Sequence, residues 1–95
     1  MAPSELPKED LLLQIDEECG ELIQAVSKLI RHEHGINPTM KEFWVLENAL
    51  VEEIADVQLS IDTFLKRRPD LLTKVGEVRR AKELRWYDRV NSGDV

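Results

Sequence analysis

Five acidic residues stand at spacings that suit cation chemistry. Glu17, Glu18 and Glu21 fall within "EECGELIQA", and Glu53 and Asp56 fall within "VEEIADVQLSI". Both stretches read as helix. Like charges three or four residues apart on a helix repel, at a cost of a few tenths of a kcal/mol per pair. No lysine or arginine lies between the first three acids to offset it. An i,i+3 pair sits on one side of a helix, about 60° apart. Antiparallel packing of the two stretches brings Glu18 and Glu21 opposite Glu53 and Asp56. Four carboxylates in one pocket raise one another's pKa and cannot all stay ionised alone. A hard divalent cation removes the conflict. An oxygen-only donor set is what Mg²⁺ takes, with Mn²⁺ as the alternative. The competing reading is two solvated acidic faces.

The elements that position these acids are three long helices. The first is expected from about Pro7 to His32 or Glu33, stopping near Gly35, a natural C-terminal cap. The second is expected from Thr39, where Thr39 to Glu42 has the form of a capping box, to about Arg67, before Pro69. The third is expected from Asp70 to Val90. Leu12, Ile15, Cys19, Leu22, Val26 and Leu29 are spaced as one helical seam. Phe43, Leu46, Leu50, Ile54, Val57, Ile61 and Phe64 form another. The fold expected is all-α, an antiparallel bundle of three to four helices in one domain spanning residues 1–95. A second stripe runs beside each seam, rotated by roughly 100°. On the first helix it is Gln14, Glu18, Glu21, Ala25 and Lys28; on the second it is Ala49, Glu53, Asp56, Ser60 and Thr63. Each follows its acids with small or polar residues that leave space. Apolar flanks at Leu11, Ile23 and Ile30 exceed what one neighbouring helix covers, so the bundle is expected to be completed by oligomerisation.

At this point "EExxE" at Glu17, Glu18 and Glu21, followed by "ExxD" at Glu53 and Asp56, resembles the MazG-like all-α nucleoside triphosphate pyrophosphohydrolases. The resemblance covers roughly residues 10–90. The stretch between the two motifs, Leu22 to Glu52, is long for that family, and a segment that some relatives place ahead of the first helix to cover the base is not expected here. The resemblance implies Mg²⁺-dependent cleavage of a (d)NTP between its α and β phosphates, giving a nucleoside monophosphate and pyrophosphate. Glu18, Glu21, Glu53 and Asp56 would then be the metal ligands. Glu17, within about 40° of Glu21 on the helical wheel, would hold or deprotonate the water or orient a ligand. Glu52 stands in the same relation to Asp56.

The third helix places Leu71, Val75, Val78, Trp86 and Val90 on one broad face, with Lys82 near its middle and Arg85 and Arg89 beside it. An apolar stripe that turns basic suits an anionic partner, either internal carboxylates or a triphosphate. Lys28, two turns beyond Glu21, is a further phosphate candidate. The bland reading of all four is snorkelling over apolar surface. Trp44 and Trp86 are expected in a core or subunit interface. His32 and His34 suit the negative end of the helix dipole.

Nineteen acids against thirteen bases give a net charge of −6. That argues against a nucleic-acid or anionic-membrane partner. Cys19 is the single cysteine, which rules out an internal disulfide. No apolar run nears the roughly 18 residues of a membrane span, and no signal-peptide pattern opens the chain, so a cytoplasmic setting is expected. Two functional readings stand. One is a pyrophosphohydrolase of nucleotide-pool house-cleaning, a homo-oligomer of two or four chains. The other is a non-catalytic bundle that oligomerises or docks a partner.

Overall fold

The structure is a computed structural model that describes residues 1–36 and 42–93. It is all-α: helices α1 (Lys8–His34), α2 (Phe43–Lys66) and α3 (Pro69–Ser92) follow a single 3₁₀ turn at Pro3–Glu5, and no strand occurs among the described residues. The chain divides into two compact units, Met1–Phe64 and Leu65–Val95.

The helix ends follow local chemistry. Gly35 ends α1 at φ 67°, a left-handed conformation that costs a side-chain-bearing residue about 1–2 kcal/mol. Its neighbour Ile36 donates its N–H to the Arg31 carbonyl at 3.0 Å, and Gly35 donates to the His32 carbonyl at 3.3 Å, which satisfies carbonyls the helix would leave orphaned. Helix α2 opens later than expected, at Phe43, with the Glu42 carbonyl accepting its first bonds. The Thr39 end of the expected capping box lies outside the described residues. Pro69 does not merely follow a helix. It is the first residue of α3, where its missing N–H costs nothing. Arg68 grips Asp70 with two bonds of 3.0 and 2.8 Å in the first turn of α3. That pairing holds the Asp70 carboxyl down at about 2.

Within the first unit α1 and α2 form an antiparallel hairpin. Leu11 and Gln14 share a cleft with Ser60 and Thr63, Ala25 and Lys28 share one with Leu46 and Ala49, and the His32 ring meets the Phe43 ring at 5.8 Å. Residue numbers thus rise on one helix as they fall on the other.

The phase of the packing differs from the sequence expectation. The buried and half-buried positions of α1 are centred on Leu11, Ile15, Glu18, Leu22, Ala25 and Leu29; those of α2 are centred on Leu46, Leu50, Glu53, Val57, Ser60 and Phe64. Both follow the alternating four-and-three spacing of bundle seams. Leu12, Val26, Phe43 and Ile54, expected in the seams, are exposed. The physical reason is the placement of small residues. Ala25 and Ser60 are buried at the contact, where they let the helices approach, and bulkier Val26 and Ile54 turn aside. Glu18 and Glu53 therefore lie in the seam itself, not beside it.

One further expectation needs correction: Leu11 is 4% exposed and belongs to the core, whereas Ile23 and Ile30 are open flanks. Trp44 and Trp86 are both more than 60% exposed, outside the core, which is one of the two places expected for them, the other being a subunit interface. Cys19 is half-buried and free, as a seam cysteine without a disulfide partner should be.

The hairpin has two unlike sides. Glu21 and Lys28 lie on one side of the α1 seam, and Leu12, Ile23, Val26 and Ile30 lie on the other. On α2, Asp56 and Thr63 oppose Phe43 and Ile54 in the same sense. Antiparallel pairing that joins the two acidic sides must also join the two apolar ones. One face of the hairpin is acidic and the opposite face is an uncovered apolar stripe.

Candidate metal centre

Glu18, Glu21, Glu53 and Asp56 converge. One carboxylate oxygen from each lies within 4.8 Å of those of the other three. Glu18 and Glu53 are half-buried in the seam, and Glu21 and Asp56 are exposed at the rim. The i,i+3 spacing supplies one seam and one rim carboxylate from each helix, so two turns of helix build all four corners.

The electrostatics are strained. Burial raises the Glu18 pKa above its ordinary value, and the charges of Glu21 and Asp56 raise it further. Glu53 is raised by burial, then by Glu21 and Asp56, with Glu52 adding a smaller push. The Oε2 atoms of Glu18 and Glu53 are both buried without a hydrogen-bond partner among the described residues. Glu21 stands close enough to bond with either. Two ionised carboxylates have no proton between them, however, so that bond exists only when one is protonated. Support from outside the cluster comes from Gln14, whose Nε2 donates to Glu18 Oε1 at 2.8 Å.

A buried, unpartnered carboxylate oxygen costs more than an exposed one gains. Two of them aimed into a cluster of four acids fit a cation. Opposed oxygens lie ~4.1 Å apart across Mg²⁺ and ~4.6–5.2 Å apart across Ca²⁺, so the observed spread accommodates one hard ion of either kind with slight side-chain adjustment. The donor set is oxygen alone, which suits neither zinc nor copper.

The other sequence candidates fall into two groups. Lys28 is exposed and lines a cleft of about 330 Å³ with Glu21 and Glu53. Glu17 is exposed, on the acidic side of α1, and outside the cluster of four. Lys82, Arg85 and Arg89 are exposed residues of α3, where they line one depression with Trp86 and Asp88. They belong to the second unit and make no ion pair among the described residues.

A second cleft, of about 310 Å³, opens onto Glu18 and Asp56 and is walled partly by Pro3 and Leu6. Two residues ahead of α1 thus wall a cleft beside the carboxylates. Gln14 was assigned no role on sequence grounds. Its place four residues before Glu18, on the same stripe, was the available signal.

The raised pKa values carry a sign. The fold shifts Glu18 and Glu53 toward the protonated form relative to the unfolded chain, so their contribution to stability is full below the ordinary carboxyl range and is lost as pH rises through the raised values. The metal-free protein is thus expected to melt at higher temperature as pH falls from 7 toward that range. Glu21→Gln removes the charge that presses on both and should raise the metal-free melting temperature at pH 7 and flatten the pH dependence. A metal-free melt that is indifferent to Glu21→Gln at pH 7 would contradict this electrostatic account. Compared with known proteins, the chain matches no family model, no curated protein and no solved structure.

Proposed function

We propose that this protein is a Mg²⁺-dependent nucleoside triphosphate pyrophosphohydrolase. The observation that supports it most is the convergence of Glu18, Glu21, Glu53 and Asp56 around two buried, unpartnered oxygens. The "EExxE … ExxD" resemblance supplies the reaction. Water adds its oxygen to the α phosphorus, the bond from that phosphorus to the α–β bridging oxygen breaks, and pyrophosphate leaves with the electron pair. A divalent cation held by Glu18, Glu21, Glu53 and Asp56 would screen the triphosphate from the acidic pocket, orient it and acidify the attacking water.

The chain's own residues divide the remaining work. Glu18 and Glu53 hold the inner ligand positions, fixed by the helix seam, and Glu21 and Asp56 hold the rim. Gln14 fixes the Glu18 carboxylate by occupying its Oε1. Glu17 accepts the water proton or steadies Glu21. Lys28 attracts the anionic end of the substrate in its cleft, and the bases that the sequence reading names on α3, Lys82, Arg85 and Arg89, are further candidates for charge-assisted bonds to phosphate. Such an enzyme serves nucleotide-pool house-cleaning in the cytoplasm.

The apolar side of the hairpin supports a homo-oligomer, a dimer or tetramer, because Ile23, Ile30 and Ile54 present a continuous uncovered stripe. The non-catalytic reading, an oligomerising module, rests on that same stripe but leaves the buried oxygens unexplained. Sedimentation at tens of micromolar is expected to show at least a dimer; a monomer would refute the assembly.

Pyrophosphate release from the eight common (d)NTPs with Mg²⁺ tests the activity. Glu21→Gln or Asp56→Asn should abolish release and keep the helical circular dichroism; wild-type activity in either removes these residues from the site. Lys82→Met keeps the apolar stem and removes the charge. It is expected to lower kcat/KM roughly 10- to 100-fold, the worth of one charge-assisted contact of about 1.5–3 kcal/mol. An unchanged kcat/KM would mean that Lys82 only snorkels.

A further inference from the structure

The two clefts that flank the carboxylates differ in chemistry. The Lys28 cleft offers a cation. The other, lined by Asp10, Leu11, Gln14, Leu59, Ser60 and Thr63, contains no lysine, arginine or histidine. Its volume of about 310 Å³ is at the small end of ligand pockets.

The cleft's hydrogen-bonding capacity is one-sided. The Ser60 hydroxyl donates to the Val57 carbonyl at 2.9 Å, and the Thr63 hydroxyl donates to the Leu59 carbonyl at 2.7 Å. Each has spent its only proton and retains lone pairs. Gln14 spends one of its two amide N–H groups on Glu18 Oε1, which leaves its own Oε1 as an acceptor and its second N–H as a donor. Asp10 adds a carboxylate. The side chains that line the cleft thus present several oxygen acceptors against one remaining side-chain donor, the second N–H of Gln14. A ligand carbonyl brought there meets mostly oxygen, and a ligand amino group finds more partners.

Polarity then assigns an orientation. The triphosphate runs over the carboxylates toward Lys28, and the nucleoside end enters the acceptor-lined, partly apolar cleft. We propose that this cleft selects nucleobases that carry an exocyclic amino group, cytosine and adenine, over their oxo counterparts, with Gln14, Ser60 and Thr63 as specificity-determining residues. The proposal rests on the hydrolase reading for the presence of a nucleotide, and it is tested without hydrolysis.

Two matched pairs of monophosphates isolate the amino group: dCMP against dUMP, and dAMP against dIMP. Each is titrated into the full-length protein with Mg²⁺ and followed by amide NMR shifts. The amino member of each pair is expected to bind roughly 10- to 100-fold more tightly, since the oxo member puts an acceptor against the cleft oxygens where the amino member puts a two-proton donor. The shifts should centre on Gln14, Ser60 and Thr63. The double variant Ser60→Ala/Thr63→Val keeps the shape and removes two acceptors, so the preference should narrow at least several-fold. Equal affinities, a preference for the oxo members, or no binding of any of the four overturns the inference. A lack of selectivity would leave the hydrolase reading standing, and a lack of pyrophosphate release would leave a measured amino preference standing.

Discussion

Four carboxylates held within 4.8 Å at the contact of two helices are the feature on which the rest of the molecule turns. Like charges at that distance oppose the packing that creates them. The hairpin tolerates them because its seam is otherwise made of Leu11, Leu22, Leu46 and small residues such as Ala25 and Ser60, whose burial works against the repulsion. Such an arrangement holds a fixed negative field at one place on a short fold. A divalent cation bound there would relieve that field and couple stability to ligand.

The same packing phase gives the hairpin its sides. With Ala25 and Ser60 at the contact, Glu18 and Glu53 fall in the seam, Glu21 and Asp56 are exposed on one face, and the Leu12–Ile30 stripe lies on the other. Charge is divided along the chain in the same spirit. Residues 1–64 carry fourteen acids against four bases, and residues 65–95 carry nine bases against five acids. The acidic field belongs to the hairpin and the basic one to α3.

Much of this was legible in the sequence. The i,i+3 acid pairs, the helix stop at Gly35 and the break before Pro69 each rest on short-range geometry, and each is seen. The phase of the seam was not legible. Periodicity gives the repeat of an apolar face, but α1 offers two adjacent faces, one through Leu12 and Val26 and one through Leu11 and Ala25, of similar period. Close approach selects the face with the small residues, a tertiary effect that no single-helix pattern contains. Trp44 and Trp86 show a related effect: size and apolarity argue for burial in a core or a subunit interface, and within the single chain neither is in the core. The acceptor-lined cleft was hidden because it depends on where the Ser60, Thr63 and Gln14 donors are spent, and those bonds appear only when the helices are built.

The central claim is that these four carboxylates bind a divalent cation. Titration of Mn²⁺ into the protein, with free ion followed by its electron paramagnetic resonance signal, tests it most directly. The account predicts saturable binding that Mg²⁺ displaces and that Glu53→Gln sharply weakens, with helical content unchanged. A wild-type protein that leaves the free Mn²⁺ signal untouched, or a Glu53→Gln variant that binds as tightly, would contradict it.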